Sequence, residues 1–505
     1  MGKSRASVLN MAVTLVWQLC TVVFGLVVPR YFLVGYGADI HGLTSTISNI
    51  LSYVLLLNAG LLTASVQALY RPLSSKNQTE VNAVLNAVQK YYTKVGLAYL
   101  AATLLLSAVL PLFIAGGWTV SVLMLVMGMS NIFDSFLGAR YRVLMQADQK
   151  YWLIGLLNIL TLVVRGGVQL LLIRFHLPVV AVQLVPVGTT VAGCLALRAL
   201  ARRSYPRLDG TVPPDYRALN QRGAALVHQI AGVVVNNTDT ILLSLFSGLA
   251  SVSVYTVYQM VFTHLYSFVT SVFSTSTVAG FGHLLAGNAG REKVRKVYDL
   301  YEAAFYFVIS CVLAACGVLI GPFIRLYTKG VQGAAYDDFG LVILFMTVAI
   351  LNNARVPCGM MINAAGHYQK TQYRAVAEAV INLSVSLLLV GRLGIYGVLI
   401  GTVVSFLYRT TDIILYTNRH ILGRSCWRSL RRVLWMVLTV GVVWKAAGGL
   451  LDRAVSGWAQ WLGLGMVTFC GAAVFAAVLW LAAENRTCRE AAALVIRRLK
   501  KISSS

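Results

Sequence analysis

Residues 152–173 read WLIGLLNILTLVVRGGVQLLLI, an apolar stretch with a single charged residue, Arg165. A run of this length can cross the hydrocarbon core of a bilayer as one helix. Asn158, Thr161, Arg165 and Gln169 fall at offsets of 0, 3, 7 and 11 residues, which places them on one helical face. A cation at bilayer depth is costly, so it usually faces a water-filled cavity or a partner. The stretch therefore predicts a membrane helix whose polar stripe suits an anionic ligand.

Similar apolar runs recur along the whole chain. Of its 505 residues, 58% are hydrophobic and only 12% are charged, which is typical of a polytopic membrane protein. The runs predict an all-α fold with about fourteen transmembrane helices. The predicted spans are roughly 8–34, 42–69, 86–114, 119–141, 151–174, 179–200, 222–246, 251–284, 298–323, 338–363, 372–391, 394–418, 429–451 and 457–482.

The net charge of +25 reflects membrane topology rather than a nucleic-acid partner. With the N-terminus inside, we assign 33 of the 42 Lys and Arg residues to inner segments and inner span ends, six to outer loops and outer span ends, and only three to the interior of spans. The six are Arg174, Arg325, Lys329, Arg392, Lys445 and Arg453, and the three are Arg30, Arg165 and Arg355. Because cytoplasmic loops carry the excess of cations, we expect a multi-pass protein of the cytoplasmic membrane with both termini in the cytoplasm.

Catalytic and metal-binding motifs are missing from the sequence. The eight cysteines form no Cys-x-x-Cys pair, so we expect no metal and no cofactor. There is no glycine-rich phosphate loop, no His-Glu-x-x-His and no serine nucleophile elbow, so we do not expect an enzyme. The alternative from another class is a membrane glycan polymerase or glycosyltransferase. It would need a sizeable outer loop with catalytic side chains, and the predicted outer loops are short.

Two halves of the chain resemble each other weakly. A segment rich in proline, glycine and charge separates six spans from the eight that follow, and we expect it to be a flexible cytoplasmic tether. Six spans followed by six predict a duplicated transporter fold with parallel repeats. The predicted domains are an N-terminal lobe (1–201), a linker (202–221), a C-terminal lobe (222–420) and a segment with spans 13 and 14 and a basic cytoplasmic tail (421–505).

A second intramembrane arginine lies in the other half. Asn352, Arg355, Gly359 and Asn363 repeat the offsets of 0, 3, 7 and 11 residues, and Pro357 predicts a kink in the same span. Arg355 and Asn352 are therefore candidates for a second site that contacts the substrate. Alternatively, Arg355 extends to the inner interface or pairs structurally with a carboxylate.

Further charged residues lie within or near spans. Arg30 follows Pro29 near the outer end of the first span, where it either binds substrate or anchors the helix at the interface. Asp239 lies well inside the seventh span. It could couple transport to an ion, act as a counter-ion to an arginine, or be a buried, hydrogen-bonded residue that packs helices together. Four acids near inner span ends favour solvated or gate-forming ion pairs, namely Asp134, Glu302, Glu378 and Asp412.

Four short motifs occur in the first half: RYFLVGYGADIHGL at 30–43, NILSY at 49–53, NAGLLTAS at 58–65 and LYRPL at 69–73. The second half starts with Asp239, Gly248 and Tyr255. Together these segments resemble the polysaccharide transporter family, the repeat-unit flippases for O-antigen, capsule and exopolysaccharide. The resemblance extends over most of the chain. It implies a multidrug/oligosaccharidyl-lipid/polysaccharide exporter fold with two six-helix lobes, a central cavity and alternating access.

The resemblance also implies a function. The expected substrate is an oligosaccharide on a polyprenyl pyrophosphate, moved from the inner to the outer leaflet for cell-surface polysaccharide biosynthesis. Besides this substrate and membrane lipids, it suggests a polysaccharide polymerase and glycosyltransferases as partners. Arginine grips phosphate oxygens in bidentate fashion, so the arginines fit such a substrate. The alternative is a drug or cation exporter of the same fold, which would need carboxylates in its cavity.

Overall fold

The computed structural model describes residues 3–58, 60–216, 223–287, 290–451 and 455–484. Within these ranges every regular element is helical, which confirms the predicted all-α class. The α-helices are α1 Lys3–Val54, α2 Leu61–Ser74, α3 Gln78–Val109, α4 Trp118–Phe133, α5 Ala139–Ala147, α6 Tyr151–Arg174, α7 Val179–Ser204, α8 Gly223–Phe246, α9 Leu249–Ala286, α10 Arg291–Tyr327, α11 Phe339–Ala354, α12 Val356–Ala364, α13 Tyr368–Leu393, α14 Ile395–Tyr416, α15 Trp427–Leu451 and α16 Trp458–Ala483. Residues 485–505 of the predicted basic tail lie outside the described residues.

Ten helical segments of the described chain are long and apolar enough to cross a membrane. They are Ala12–Ser74, Gln78–Leu112, Trp118–Ala147, Tyr151–Arg174, Val179–Ser204, Arg291–Tyr327, Phe339–Ala364, Gln369–Leu393, Ile395–Leu422 and Trp458–Ala482. The first has 63 residues, about three times the roughly 20 that one crossing needs, and it covers the first two predicted spans. Helices α8, α9 and α15 coincide in position with three further predicted spans.

Long helices are interrupted where the sequence supplies glycine or proline. Gly37 adopts φ 80° and ψ 176° inside α1, a conformation that favours glycine, so α1 consists of two helices joined at one residue. Gly60 (φ 72°) precedes α2 in the same way. Helix α11 ends at Ala354, and Pro357 lies in the first turn of α12, which confirms the break expected from that proline.

The chain divides into two compact units. Unit 1 comprises Met1–Thr256 and Gly330–Ala334, and unit 2 comprises Val257–Lys329 and Ala335–Ser505. Unit 1 thus holds α1 to α8 and the first residues of α9. These boundaries follow packing, whereas the predicted lobes (1–201 and 222–420) follow the sequence repeat, so the lobes stay a prediction.

In unit 1, the first part of the linker lies against α3. We call residues 205–216 the linker strap. Asn82 of α3 donates its side-chain amide to the Arg207 carbonyl at 3.1 Å, and Asn86 donates to the Val212 carbonyl at 2.8 Å. Both asparagines are buried, so their amides satisfy backbone groups that would otherwise lack partners. This part of the linker is therefore held against α3 in the structure, and its flexibility stays a prediction. Residues 217–222 lie outside the described residues.

In unit 2, buried ion pairs hold α15 and α16 against α10. Arg432 of α15 donates to Glu302 of α10 at 2.6 Å and, through two nitrogens, to Glu484 at 2.9 and 2.6 Å. Arg432 is 1% exposed and Glu302 is fully buried. Arg424 also pairs with Glu302 at 2.7 Å and with Asp299. Glu302 was expected to be ion-paired, and it is, but it is buried rather than solvated.

Candidate functional site

The polar stripe of α6 faces a cavity of about 470 Å³ inside unit 1. Helices α1, α4, α6 and α7 form most of its walls, with Asp134 and Arg142 contributed by the segment after α4 and by α5, and we call it the α6 cavity. Its polar lining consists of Ser48, Ser52, Ser130, Asn131, Asp134, Arg142, Asn158, Thr161, Arg165, Gln183, Thr189 and Thr190. Asn158, Thr161 and Arg165 of the predicted stripe line the same cavity.

Arg165 places a guanidinium on the wall of the α6 cavity. Its Nε donates a long hydrogen bond of 3.4 Å to the Thr189 hydroxyl of α7, and this hydroxyl donates in turn to the Val185 carbonyl at 3.0 Å. The side chain is half-buried. Among the described residues, no carboxylate pairs with this guanidinium within 4.0 Å. Its donors are therefore available to an anionic ligand.

The other charges on the cavity wall neutralise each other. Asp134 accepts two hydrogen bonds from Arg142, at 2.8 and 2.5 Å. Asp134 begins a π-helical segment, Asp134–Gly138, that joins α4 to α5. Such π-helical insertions occur often at functional sites. Since Arg165 is the third charged residue of the described lining, the wall carries one net positive charge.

Two other predicted substrate residues of unit 1 lie elsewhere. Gln169 is 9% exposed, and its amide donates to the Val182 carbonyl of α7 at 3.4 Å, so it packs α6 against α7. Arg30 is half-buried in α1 and is not among the residues that line the α6 cavity. The structure therefore brings together Arg165 and Asn158 but not Gln169 or Arg30.

Arg355 lies in unit 2, at the break between α11 and α12, and it is engaged by other side chains. It donates to Glu378 of α13 at 2.5 Å and to the Asn352 side chain at 2.8 and 3.1 Å. Its guanidinium also lies 4.2 Å from the centre of the Phe406 ring, a cation–π contact. Arg409 of α14 pairs with the same Glu378 at 3.4 Å. The surroundings of Arg355 thus differ from those of Arg165.

Asp239 is buried in α8, with 1% of its surface exposed. Tyr255 of α9 donates its hydroxyl to Asp239 Oδ2 at 2.9 Å. One residue earlier, Thr238 shares a hydrogen bond with Tyr53 of α1. Asp239 therefore lies close to the place where α1 and α8 pack together.

A further contact joins α1, just after its break at Gly37, to the first turns of α9. His41 Nδ1 and the Ser253 hydroxyl lie 2.8 Å apart, and both residues are buried. Beside them, a Cβ atom added to Gly42 would lie 1.9 Å from the Leu249 carbonyl oxygen, so the two backbones meet where only glycine fits. We call His41, Gly42, Leu249 and Ser253 the α1–α9 contact. The sequence analysis missed it, although a glycine beside a buried polar residue can indicate such an approach.

We expect Asp239→Asn to fold normally and to lose any dependence of transport on an ion gradient. The substitution keeps the shape and an oxygen that accepts from Tyr255 but removes the negative charge. Transport into proteoliposomes with and without proton and sodium gradients measures the effect. The matched control is Asp209→Asn, which changes an exposed loop carboxylate whose main partner is Thr211. If Asp239→Asn and the control respond to gradients equally, Asp239 does not couple transport to an ion.

Comparison with known proteins gives structural but no sequence relatives. No protein-family model matches the chain, and no curated protein matches it significantly. Among solved structures, the lipid II flippase MurJ in an inward closed conformation aligns with a TM-score of 0.65 and 13% identity, over 95% of this chain and 100% of that one. An inward-facing multidrug resistance MATE family transporter of the MOP superfamily gives 0.56 and 14%, over 84% and 96%.

A MOP superfamily transporter from Pyrococcus furiosus aligns with a TM-score of 0.53 and 14% identity, over 87% of this chain and 96% of that one. At these identities the likeness concerns the fold alone. The chain is a multi-pass membrane protein with the fold of MOP superfamily transporters. This confirms the exporter fold implied by the resemblance at the level of the overall helical architecture, while the two six-helix lobes and alternating access stay predictions.

Proposed function

We propose that the protein is a flippase for a polyprenyl-pyrophosphate-linked oligosaccharide. It would move this substrate from the inner to the outer leaflet of the cytoplasmic membrane by alternating access, with both termini in the cytoplasm, and so serve cell-surface polysaccharide biosynthesis. The observation that carries the proposal is the guanidinium of Arg165 on the wall of the α6 cavity. The fold shared with a lipid II flippase supports it.

The chemistry of the α6 cavity matches the head of such a substrate. A pyrophosphate is a strong anion, and a guanidinium binds phosphate oxygens through paired hydrogen bonds. The sugar hydroxyls need neutral donors and acceptors. Nine neutral polar side chains supply them on the same wall: Ser48, Ser52, Ser130, Asn131, Asn158, Thr161, Gln183, Thr189 and Thr190.

The net charge of the cavity favours this substrate over a cationic drug. A drug cation would be attracted by an unpaired carboxylate, whereas Asp134 is held by Arg142. The positive charge of Arg165 would also repel a drug cation. The drug or cation exporter therefore stays the second candidate, and Asp239, a buried carboxylate in α8, is the residue that favours it.

Not all of the predicted substrate residues would contribute equally. We propose Arg165 and Asn158 as direct contacts, because both line the α6 cavity. Arg355 would first have to leave Glu378 and Asn352 before it could bind phosphate. We therefore expect a smaller loss of substrate binding for changes at Arg355, Asn352, Arg30 and Gln169 than for changes at Arg165.

Substitution Arg165→Gln tests the proposal. A charge-assisted hydrogen bond contributes about 1.5–3 kcal/mol, so we expect translocation at low substrate concentration to fall roughly tenfold or more. The assay uses proteoliposomes with a fluorescent polyprenyl pyrophosphate, and dithionite bleaches only the probe in the outer leaflet. Arg174→Gln is the matched control, since it removes an exposed cation from the same helix.

The assay also separates the two candidate functions. Ethidium accumulation in the same vesicles reports export of a cationic drug. The flippase proposal requires that the wild type and Arg174→Gln translocate the pyrophosphate probe, and that Arg165→Gln translocates it roughly tenfold more slowly or worse. It would be overturned if ethidium were transported and the pyrophosphate probe were not, or if Arg165→Gln matched the control.

A further inference from the structure

Unit 2 contains a recess that the proposed function does not use. Its volume is about 650 Å³, within the range of about 300–1,000 Å³ that is usual for ligand pockets. We call it the glycine recess. Its lining comes from α10, α15 and the start of α11, namely Gly317, Val318, Gly321, Pro322, Arg325, Asp337, Phe339, Val342, Gly441, Trp444, Lys445 and Gly448.

Glycines on two facing helices keep this recess open. Gly317 and Gly321 lie four residues apart on α10, and Gly441 and Gly448 lie two turns apart on α15, so each pair shares one helical face. A Cβ atom at Gly317 would approach Met346 to 3.2 Å, whereas a Cβ atom at Gly441 would meet nothing within 4 Å. The recess is thus a trough lined by glycine backbone, and the space beside Gly441 is empty.

The two ends of the recess differ in chemistry. Helices α10 and α15 run in parallel, since Glu302 contacts Arg432 at one level and Gly317 lies beside Trp444 further along. The end towards Gly317 and Gly441 is apolar. Towards the other end lie Lys445 and then Arg325, which is in the last turn of α10 and contacts Asp337 at 3.5 Å.

Two cations in one recess are unusual on the predicted outer side of the membrane, where Lys and Arg are rare. On the predicted topology, the outer loops hold only six Lys and Arg residues, and two of these, Arg325 and Lys445, line this one recess. Lys445 is exposed, so its ammonium can move to meet a ligand. Apart from these two cations and Asp337, the described lining consists of glycine, valine, proline, phenylalanine and tryptophan. Its one neutral hydrogen-bonding side chain is therefore the indole of Trp444, whereas the α6 cavity has nine such side chains.

We propose that the glycine recess binds one anionic phospholipid, with its phosphate at Arg325 and Lys445 and an acyl chain along the glycine trough. Charge complementarity at one end and a narrow apolar trough at the other match the two parts of such a lipid. The described lining has one neutral hydrogen-bonding side chain, Trp444, and its carboxylate Asp337 is paired with Arg325, which argues against the lipid-linked oligosaccharide as occupant. The site is separate from Arg165, so its test does not depend on the flippase assay.

Gly441→Leu should fill the trough without disturbing the protein, because its Cβ points into open space. The matched control is Gly471→Leu in α16, another exposed helical glycine with no atom within 4 Å of an added Cβ. Full-length protein in neutral detergent is titrated with phosphatidylglycerol or phosphatidylethanolamine, and bound lipids are counted by native mass spectrometry. Thermal unfolding without added lipid checks that both variants fold.

We expect the wild type and Gly471→Leu to bind one phosphatidylglycerol about tenfold more tightly than phosphatidylethanolamine. Gly441→Leu should lose this molecule, and Lys445→Gln, a surface change that leaves the trough intact, should abolish the preference for the anionic lipid. Unchanged binding to Gly441→Leu, or equal affinity for the two lipids in the wild type, would overturn the proposal. So would a polyprenyl phosphate found in the recess of protein purified from cells and displaced by Gly441→Leu.

Discussion

Replacing Arg432 with methionine is expected to lower the free energy of unfolding by about 3–5 kcal/mol, because the buried carboxylates Glu302 and Glu484 both lose the cation that bridges them. Arg432 is 1% exposed and holds both Glu302 and Glu484 through hydrogen bonds of 2.6–2.9 Å. Methionine keeps most of the volume but none of the charge. Since Glu302 and Glu484 belong to different parts of unit 2, we expect α15 and α16 to loosen from α10 before the rest of the unit unfolds.

The measurement is thermal and denaturant unfolding of the detergent-solubilised protein, followed by tryptophan fluorescence. Arg428→Met is the matched control on the same helix. Arg428 pairs with Asp299 at 2.8 Å, but its side chain is 54% exposed, so its loss should cost less than about 1 kcal/mol. Equal losses of stability in the two variants would show that burial of Arg432 contributes nothing beyond an ordinary surface ion pair.

Gly42→Ala is expected to separate α1 from α9 at the α1–α9 contact. The new Cβ would lie 1.9 Å from the Leu249 carbonyl oxygen, and both atoms are fixed to helix backbones, so no side-chain rotation relieves the clash. Overpacking of this kind costs about 1–3 kcal/mol, which shifts an equilibrium between closed and open contact roughly tenfold or more. If access to the outside requires this contact to open, the variant should favour that state.

Maleimide labelling of a cysteine at position 253 reports the opening, since Ser253 is fully buried in the closed contact. We expect labelling of Ser253→Cys to be slow alone and at least about tenfold faster together with Gly42→Ala. The matched control is Gly188→Ala in α7, an exposed helical glycine with no atom near an added Cβ. Slow labelling in both double variants would mean that the helices accommodate the methyl group without separating.

Much of the fold follows from the sequence, because each membrane helix is encoded locally. Length and apolar composition placed the spans, and Pro357 correctly predicted the break between α11 and α12. The polar stripe of α6 predicted which face of that helix meets a cavity, and Asn158 and Arg165 are found there. These features depend on residues within a few helical turns of one another.

The surroundings of the two arginines could not be predicted in this way. Arg165 and Arg355 lie on stripes with the same spacing, so this pattern alone does not distinguish them. What distinguishes them is supplied by other helices. Thr189 from α7 contacts Arg165, whereas Glu378 from α13 neutralises Arg355. Which distant helix packs where is a tertiary property, and no local periodicity encodes it.

The α1–α9 contact shows the same limitation more strongly. His41 and Ser253 are separated by 212 positions, and neither residue type predicts the other. Asp134 and Glu378 were expected to form ion pairs, and both do. The partner of Asp134 is Arg142, only eight residues away. The partner of Glu378 is Arg355, for which pairing with a carboxylate was one of the two interpretations.

The linker strap has a consequence for how far α8 can travel. Because Asn82 and Asn86 bind the strap to α3, the length of chain that connects this anchored part to α8 is counted from Tyr216 rather than from the end of α7. From there to Gly223 is seven residues, and an extended chain covers at most about 3.6 Å per residue. The start of α8 can therefore never lie more than about 25 Å from Tyr216. The covalent chain thus limits how far the start of α8 can move in any conformational change. Releasing the strap by changing both asparagines would lengthen this radius without altering a single transmembrane helix.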